Sequence, residues 1–245
     1  MSILDKIVDH KYRQIATWAE PGDVPACTQD FTPFWTTRPA LIAEIKARSP
    51  SEGIIAAPFD PAAQTGAYAS GGADAISVLT DEEFFGGRFE ILKQVRALTA
   101  LPLLCKDFIL DPVQIRTARA CGADMILLIV KILDPDRLAA LKHLTEDLGM
   151  KAVIEVQTAS ELEVAISVKP EILLINNRDL TSFDVAMNTA PDLAAQAPEN
   201  CMCIAASGIQ NPQDTRKRPS RIDGYLIGTA LMRSPDPAEF LRQCR

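Results

Sequence analysis

Histidine is scarce in this sequence: His10 and His143 are the only two in 245 residues, and both fall in segments with helical spacing. A histidine-based relay or a His-rich metal centre is not expected, so proton transfer is left to lysine and carboxylate. Cysteine is sparse as well, six in all, too few for a disulfide scaffold, which makes the cytoplasm the expected compartment. Cys201 and Cys203 lack a Cys-x-x-Cys or His-rich partner and read as small buried strand residues rather than zinc ligands. Positive charge is not in excess. A formal net charge of −7 argues against nucleic-acid binding, and the one basic cluster, "RKRPSR" at 216–221, reads as a solvated turn. No window reaches the apolar length of a membrane span. The opening "MSILDKIVDHKYRQIATWAE" carries charges throughout, unlike a signal peptide, and predicts an amphipathic helix. No G-x-G-x-x-G turn follows the first strand-like run, which weakens an open doubly wound sheet. No metal-binding cluster or redox-cofactor motif is present, so no cofactor and no metal are expected.

What the sequence does hold is repetition. Hydrophobic residues make up 47% of it, and apolar strand-like runs recur along it, separated by helical patterns. Eight are found: "ALIAEIK" (40–46), "DAISVLT" (74–80), "LPLLCKD" (101–107), "DMILLIV" (124–130), "KAVIEV" (151–156), "EILLINN" (171–177), "CMCIAAS" (201–207) and "GYLIGT" (224–229). Near-continuous apolarity fits strands covered on both faces, and Gly122 and Gly149 sit where helices would stop. Eight β-then-α units predict an α/β fold, a (β/α)8 barrel of the TIM type. It is expected to be a single domain over 1–245, with 1–38 as an N-terminal helical extension.

Most of these strands end in polar residues: Glu44 and Lys46, Lys106, Glu155, Asn176 and Arg178, Ser207, Thr229. A barrel carries its site at the C-terminal ends of its strands. Residues two apart share a face, which pairs Glu44 with Lys46 and, if the strand runs on, Asn176 with Arg178. "SGI" after strand seven and "IGT" at the end of strand eight place Gly208 and Gly228 where backbone N–H groups meet a phosphate. From spacing alone, the chain is an enzyme acting on a small phosphorylated compound by lysine and carboxylate acid–base chemistry.

The segments "ALIAEIKARSPSEG", "SVLTDEEFFGG", "LLCKDFILDPVQI", "GADMILLIV", "VIEV", "INNRDLTSF", "SGI" and "IGTALMRSPDP" stand in the order and spacing of the indole-3-glycerol phosphate synthases. From about residue 38 onward the chain resembles that family nearly throughout, and "ILDKIVDHKYRQI" resembles its opening helix. The resemblance implies a carbon–carbon lyase of tryptophan biosynthesis. The family closes the pyrrole ring of 1-(2-carboxyphenylamino)-1-deoxyribulose 5-phosphate, with loss of carbon dioxide and water. By motif, Lys106 of "KDF" would be the general acid, Glu155 the second proton-transfer group, and Glu44 with Lys46 the pair serving dehydration and anchoring. Asn176, within the catalytic set, and Arg178 would orient the substrate together with Ser207. Ser49, Gly208, Gly228 and Thr229 would hold the phosphate. Pro50, Phe85, Phe108, Leu127 and Leu180 would form the slot for the anthranilate ring, although as a sequence pattern alone they read as ordinary core.

The chain departs from the family at three places. Ala206 stands where the family has the glutamate of "ESGI". Glu52 stands where "SPSxG" has lysine or arginine. The stretch before strand eight is about one residue short and carries Pro219, so the seventh helix is expected to be short or broken. A diverged paralogue acting on or binding another small phosphorylated compound is the alternative reading, and a catalytically silent barrel the third. No nucleic-acid or membrane partner is expected, and the chain is expected to act as a monomer.

Overall fold

Burial along the strands alternates between two destinations, and that alternation decides the architecture. In the computed structural model, which describes residues 2–216 and 219–245, eight parallel strands form a closed barrel. They are β1 (Ala40–Ile45), β2 (Ala75–Leu79), β3 (Leu103–Lys106), β4 (Met125–Ile129), β5 (Lys151–Val156), β6 (Ile172–Asn176), β7 (Met202–Ala206) and β8 (Gly224–Ile227). Each lies within the stretch the sequence predicts: β5 matches it, and the others are shorter by one to three residues. Ala40, Ile42, Ala75, Leu104, Met125, Leu127, Val153, Ile172, Leu174, Met202, Ile204 and Leu226 form one cluster inside the barrel. The residues between them, such as Leu41, Ala43, Ile76, Val78, Ile154 and Leu173, pack with the helices in a second cluster. Both faces are therefore dry, which is why the strands read as unbroken apolar runs.

Closure is made between β1 and β8, with Ala40 opposite Gly224. A Cβ at Gly224 would collide with the Ala40 carbonyl and with Ile204. Glycine is required here for close approach rather than for an unusual φ.

The helices start by a repeated device. Asp60, Asp111, Asp134 and Asp236 each cap a helix with the side-chain carboxylate, and a proline follows at once. The carboxylate accepts orphan N–H groups, and the proline supplies a preset φ where its missing N–H costs nothing. At the other end, Gly122 (φ +98°) and Gly149 (φ +77°) end their helices in the left-handed region, as the sequence predicts. The seventh helix is indeed short, Gln213–Arg216. In the basic cluster, Lys217 and Arg218 lie outside the described residues. Arg221 differs from the expected solvated turn, because its guanidinium donates to the Pro198 carbonyl at 2.7 Å.

The segment before β1 runs from one end of the barrel to the other. Helix α1 (Ile3–Ile15) is closed at its start by a Ser2–Asp5 capping box. It lies at the end where β2 and β3 finish, since Lys11 reaches Asp81 at 2.9 Å and Asp107 at 2.8 Å. The chain then follows the outside of the barrel: Trp18 meets Phe89 edge-on, Glu20 pairs with Arg116, and the Cys27 N–H donates to the Leu148 carbonyl. Helix α2 (Thr32–Thr36) brings Phe34, 1% exposed, against the interior residues at the strand starts, where it stops the floor.

Lys11 reads in the sequence as one more charge on an amphipathic helix, yet it is fully buried. Burial opposes its charge, but Asp107 and Asp81 outweigh that and hold it above the usual lysine range. Thr80 donates to the other oxygen of Asp107 at 2.8 Å. Replacing Lys11 with methionine leaves two buried carboxylates without a counter-charge. Lys11→Met should lower the unfolding free energy by about 3–5 kcal/mol, read from urea unfolding followed by circular dichroism. A loss below about 1 kcal/mol, the worth of an exposed pair, would refute the assignment.

Candidate active site

The even-numbered positions that line the interior of β1 continue upward into polar groups. Above Ala40 and Ile42 comes Glu44, and above Ile172 and Leu174 comes Asn176. β3 and β5 repeat the rule: above Leu104 comes Lys106, and above Val153 comes Glu155. Together they open into a cavity of about 950 Å³ at the C-terminal ends of the strands.

Every candidate residue named from the sequence lines this one cavity: Glu44, Lys46, Lys106, Glu155, Asn176, Arg178, Ser207, Ser49, Gly208, Gly228, Thr229, and the apolar Pro50, Phe85, Phe108, Leu127 and Leu180. Phe108 and Leu127 are also members of the interior core, so for these two the core and wall readings coincide. Phe85 and Phe108 face each other at 6.0 Å with rings tilted by 37°, forming the apolar side. Thr229 is not the last residue of a strand as the sequence suggests. β8 stops at Ile227, and Thr229 opens a short helix, Thr229–Arg233.

Polar contacts run in a line across the mouth. Ser207 Oγ donates to Asn176 Oδ1 at 2.8 Å, and Asn176 Nδ2 donates to Glu155 Oε1 at 3.1 Å. Glu155 Oε2 then lies 3.7 Å from Lys106 Nζ. That second oxygen is buried and accepts no hydrogen bond. A buried acceptor left open is costly and marks a place where a ligand or a moving proton is served. Ser207 holds φ +66° without being glycine, and Gly208 follows at +91°. Left-handed backbone at a non-glycine residue clusters at functional sites.

The strand-one pair is closed: Lys46 Nζ meets Glu44 Oε1 at 2.8 Å. Gly228 packs against both, and a Cβ there would strike the carboxylate and crowd the ammonium. Burial would raise the Glu44 pKa, but Lys46 first and Lys106 second outweigh it and hold the carboxyl below its ordinary value.

The sequence reading misses three contributors. Residues 48–54 form a small hairpin, with Arg48 paired to Ile54 and Ser49 to Gly53, that lays Ser49, Pro50, Ser51 and Glu52 over the cavity. Arg233 enters from the helix after β8, one turn beyond Thr229, and that i, i+4 spacing is the signal that would have found it. Val185 and Met187, both largely exposed, close the rim beside Gly208. Ala206 is buried and faces the cavity without adding a polar group. Among the described residues, no group of three His, Cys, Asp or Glu side chains is placed to hold a metal ion, and no helix is long and apolar enough to cross a membrane.

Residues 26–244 match the family model described as Indole-3-glycerol phosphate synthase. The indole-3-glycerol phosphate synthase of Polaromonas sp. (strain JS666) is 39% identical over 256 aligned positions, covering 98% of this chain and 97% of the relative. That of Dehalococcoides mccartyi (strain CBDB1) is 45% identical over 207 positions, covering 83% and 80%. Among solved structures, 3-hexulose-6-phosphate synthase from Salmonella typhimurium superposes with a TM-score of 0.63 at 15% identity, covering 84% of this chain and 96% of that one. At that identity it supports the barrel fold alone.

A depressed carboxyl contributes stability that is present above its unfolded pKa and lost as pH falls through its folded one. The difference in unfolding free energy between the native chain and Glu44→Gln should therefore be widest above about pH 4.5 and shrink as the pH is lowered. A difference that stays constant with pH, measured by urea titration at each pH, contradicts the pairing.

Proposed function

The chain belongs to the indole-3-glycerol phosphate synthase family, and we propose the following division of labour for the family's reaction in this cavity. Lys106 is the general acid. As the ring carbon bearing the carboxylate attacks the substrate's carbonyl carbon, the carbonyl oxygen takes the Lys106 proton and becomes a hydroxyl. Loss of carbon dioxide leaves its bonding electrons in the ring; the hydroxyl then takes a second proton and leaves as water, while the CH2 group beside the nitrogen gives up a proton to a carboxylate, and the double bond so formed completes the indole. The observation that carries this reading is the approach of Lys106 Nζ to the open oxygen of Glu155 at 3.7 Å, across the intervening strand β4 and above a dry interior.

Each partner has a reason for its place. Glu155 is fixed by Asn176 through one oxygen, which leaves the other to exchange protons beside Lys106. Glu44 and Lys46 form the second acid–base pair and serve dehydration and anchoring. Asn176 accepts from both Ser207 Oγ and the Arg178 backbone N–H, so its amide is oriented from two sides. Ser49, Gly208, Gly228 and Thr229 receive the phosphate, and Arg178 beside them orients the substrate. Phe85, Phe108, Leu127, Leu180 and Pro50 sandwich the aromatic ring. Apolar walls keep the proton transfer away from bulk water, where it would compete with solvent.

The site is complete within one chain, which supports action as a monomer, measurable by light scattering. All six cysteines are free, which supports residence in the reducing cytoplasm.

Purified protein should convert the carboxyphenylamino substrate to a fluorescent indole product. Lys106→Ala should lower kcat by at least about 10²-fold with a smaller change in KM, and an unchanged kcat removes Lys106 from its role. Ala206→Glu, which restores the family's carboxylate, should preserve or raise kcat/KM. A collapse would mean that the pocket is built around alanine.

A further inference from the structure

The phosphate-receiving side of the cavity already contains an anion. Glu52, at the tip of the hairpin after β1, places Oε2 2.9 Å from Arg233 and Oε1 3.5 Å from Arg178. Thr229 Oγ1 donates to the same Oε1 at 3.3 Å. The carboxylate is only 22% exposed, and its three partners come from two segments, the loop after β6 and the two ends of the helix after β8. This is more organisation than a solvated surface charge requires.

We propose that Glu52 is a built-in competitor for the phosphate-receiving pocket and so a specificity-determining residue. It holds Arg178, Arg233 and Thr229 while the site is empty, and a ligand enters that end by displacing it. The proposal rests on the reading of this end as the phosphate end. Displacement is electrostatically one-sided. A carboxylate brings one charge and two acceptor oxygens, whereas a terminal phosphate brings close to two charges and three. With Glu52 withdrawn, Lys46, Lys106, Arg178 and Arg233 face only Glu44 and Glu155 among the cavity's charged groups, Asp107 being paired with Lys11. That surplus suits a dianion. A neutral sugar, or one ending in a carboxylate, gains too little to evict Glu52.

The hairpin is built to let its tip turn. Its base is fixed, with Arg48 donating to the Glu82 carbonyl at 3.0 Å and the Ile55 N–H to the Ala47 carbonyl at 2.9 Å. Just past the tip, Gly53 (φ +66°) stands in open space, with no neighbouring atom within 4 Å of where a Cβ would stand. Glu52 can therefore leave without unfolding the hairpin.

The test is calorimetric titration of inorganic phosphate into the native chain, Glu52→Gln and Glu52→Ala, with folding checked by circular dichroism. Two partly exposed ion pairs must be given up by the native chain, so both variants should bind phosphate about three- to tenfold more tightly. KM for the phosphorylated substrate should fall by a similar factor, with a smaller change in kcat. Binding of a dephosphorylated analogue, which leaves Glu52 in place, should change less. Equal or weaker phosphate binding in both variants overturns the proposal. Tighter phosphate binding with no turnover by any of the three proteins sinks the proposed function and leaves this inference standing.

Discussion

Closure of the sheet at the β1–β8 seam is the constraint on which the rest depends. Eight parallel strands can share one ring of hydrogen bonds only if the first and last meet, and here they meet where Gly224 lets the backbone of Ala40 come close. Once the ring is shut, strand direction brings all the C-terminal ends to one rim, and strand alternation decides which side chains look inward. Glu44, Lys106, Glu155 and Asn176 then converge because each follows, two residues on, an apolar residue of the interior cluster. The chemistry of the mouth is a continuation of the packing beneath it.

That relation explains how much could be read from the sequence. The barrel strands were legible because burial on both faces leaves no polar alternation to confuse them, and the site residues because they break those apolar runs in phase with the interior. What escaped has a different physical origin. The hairpin at 48–54 is two rungs long, too short for a periodic signal. Lys11 looks like a solvated charge, since nothing local announces two carboxylates far along the chain. Thr229 looked like a strand end because strand and helix are joined by a single glycine. Arg233 was passed over because the last turn of a helix ordinarily favours a cation for its own sake. The four Asp-Pro helix starts were present in plain view, and they carry fold information rather than function.

The two departures from the family pattern at Ala206 and Glu52 share one cavity and act in opposite electrostatic directions. Ala206 leaves an inward position of β7 without a carboxylate, while Glu52 brings one from the loop side. The number of acids around the cavity stays the same while their position shifts from the strand rim to the end where Arg178 and Arg233 stand. The line of polar contacts from Ser207 through Asn176 and Glu155 to Lys106 is assembled without either residue.

The segment that precedes the barrel also bears on how the chain comes together in time. It is synthesised before the barrel strands, yet its anchors lie downstream: Lys11 needs Asp81 and Asp107, and Arg38 meets Asp223 across 185 positions. Its floor plug has no interior to stop until the strands have gathered. The stretch is made before its partners, and Lys11 lacks its counter-charges until Asp81 and Asp107 have been made. High sequence separation of this kind slows folding.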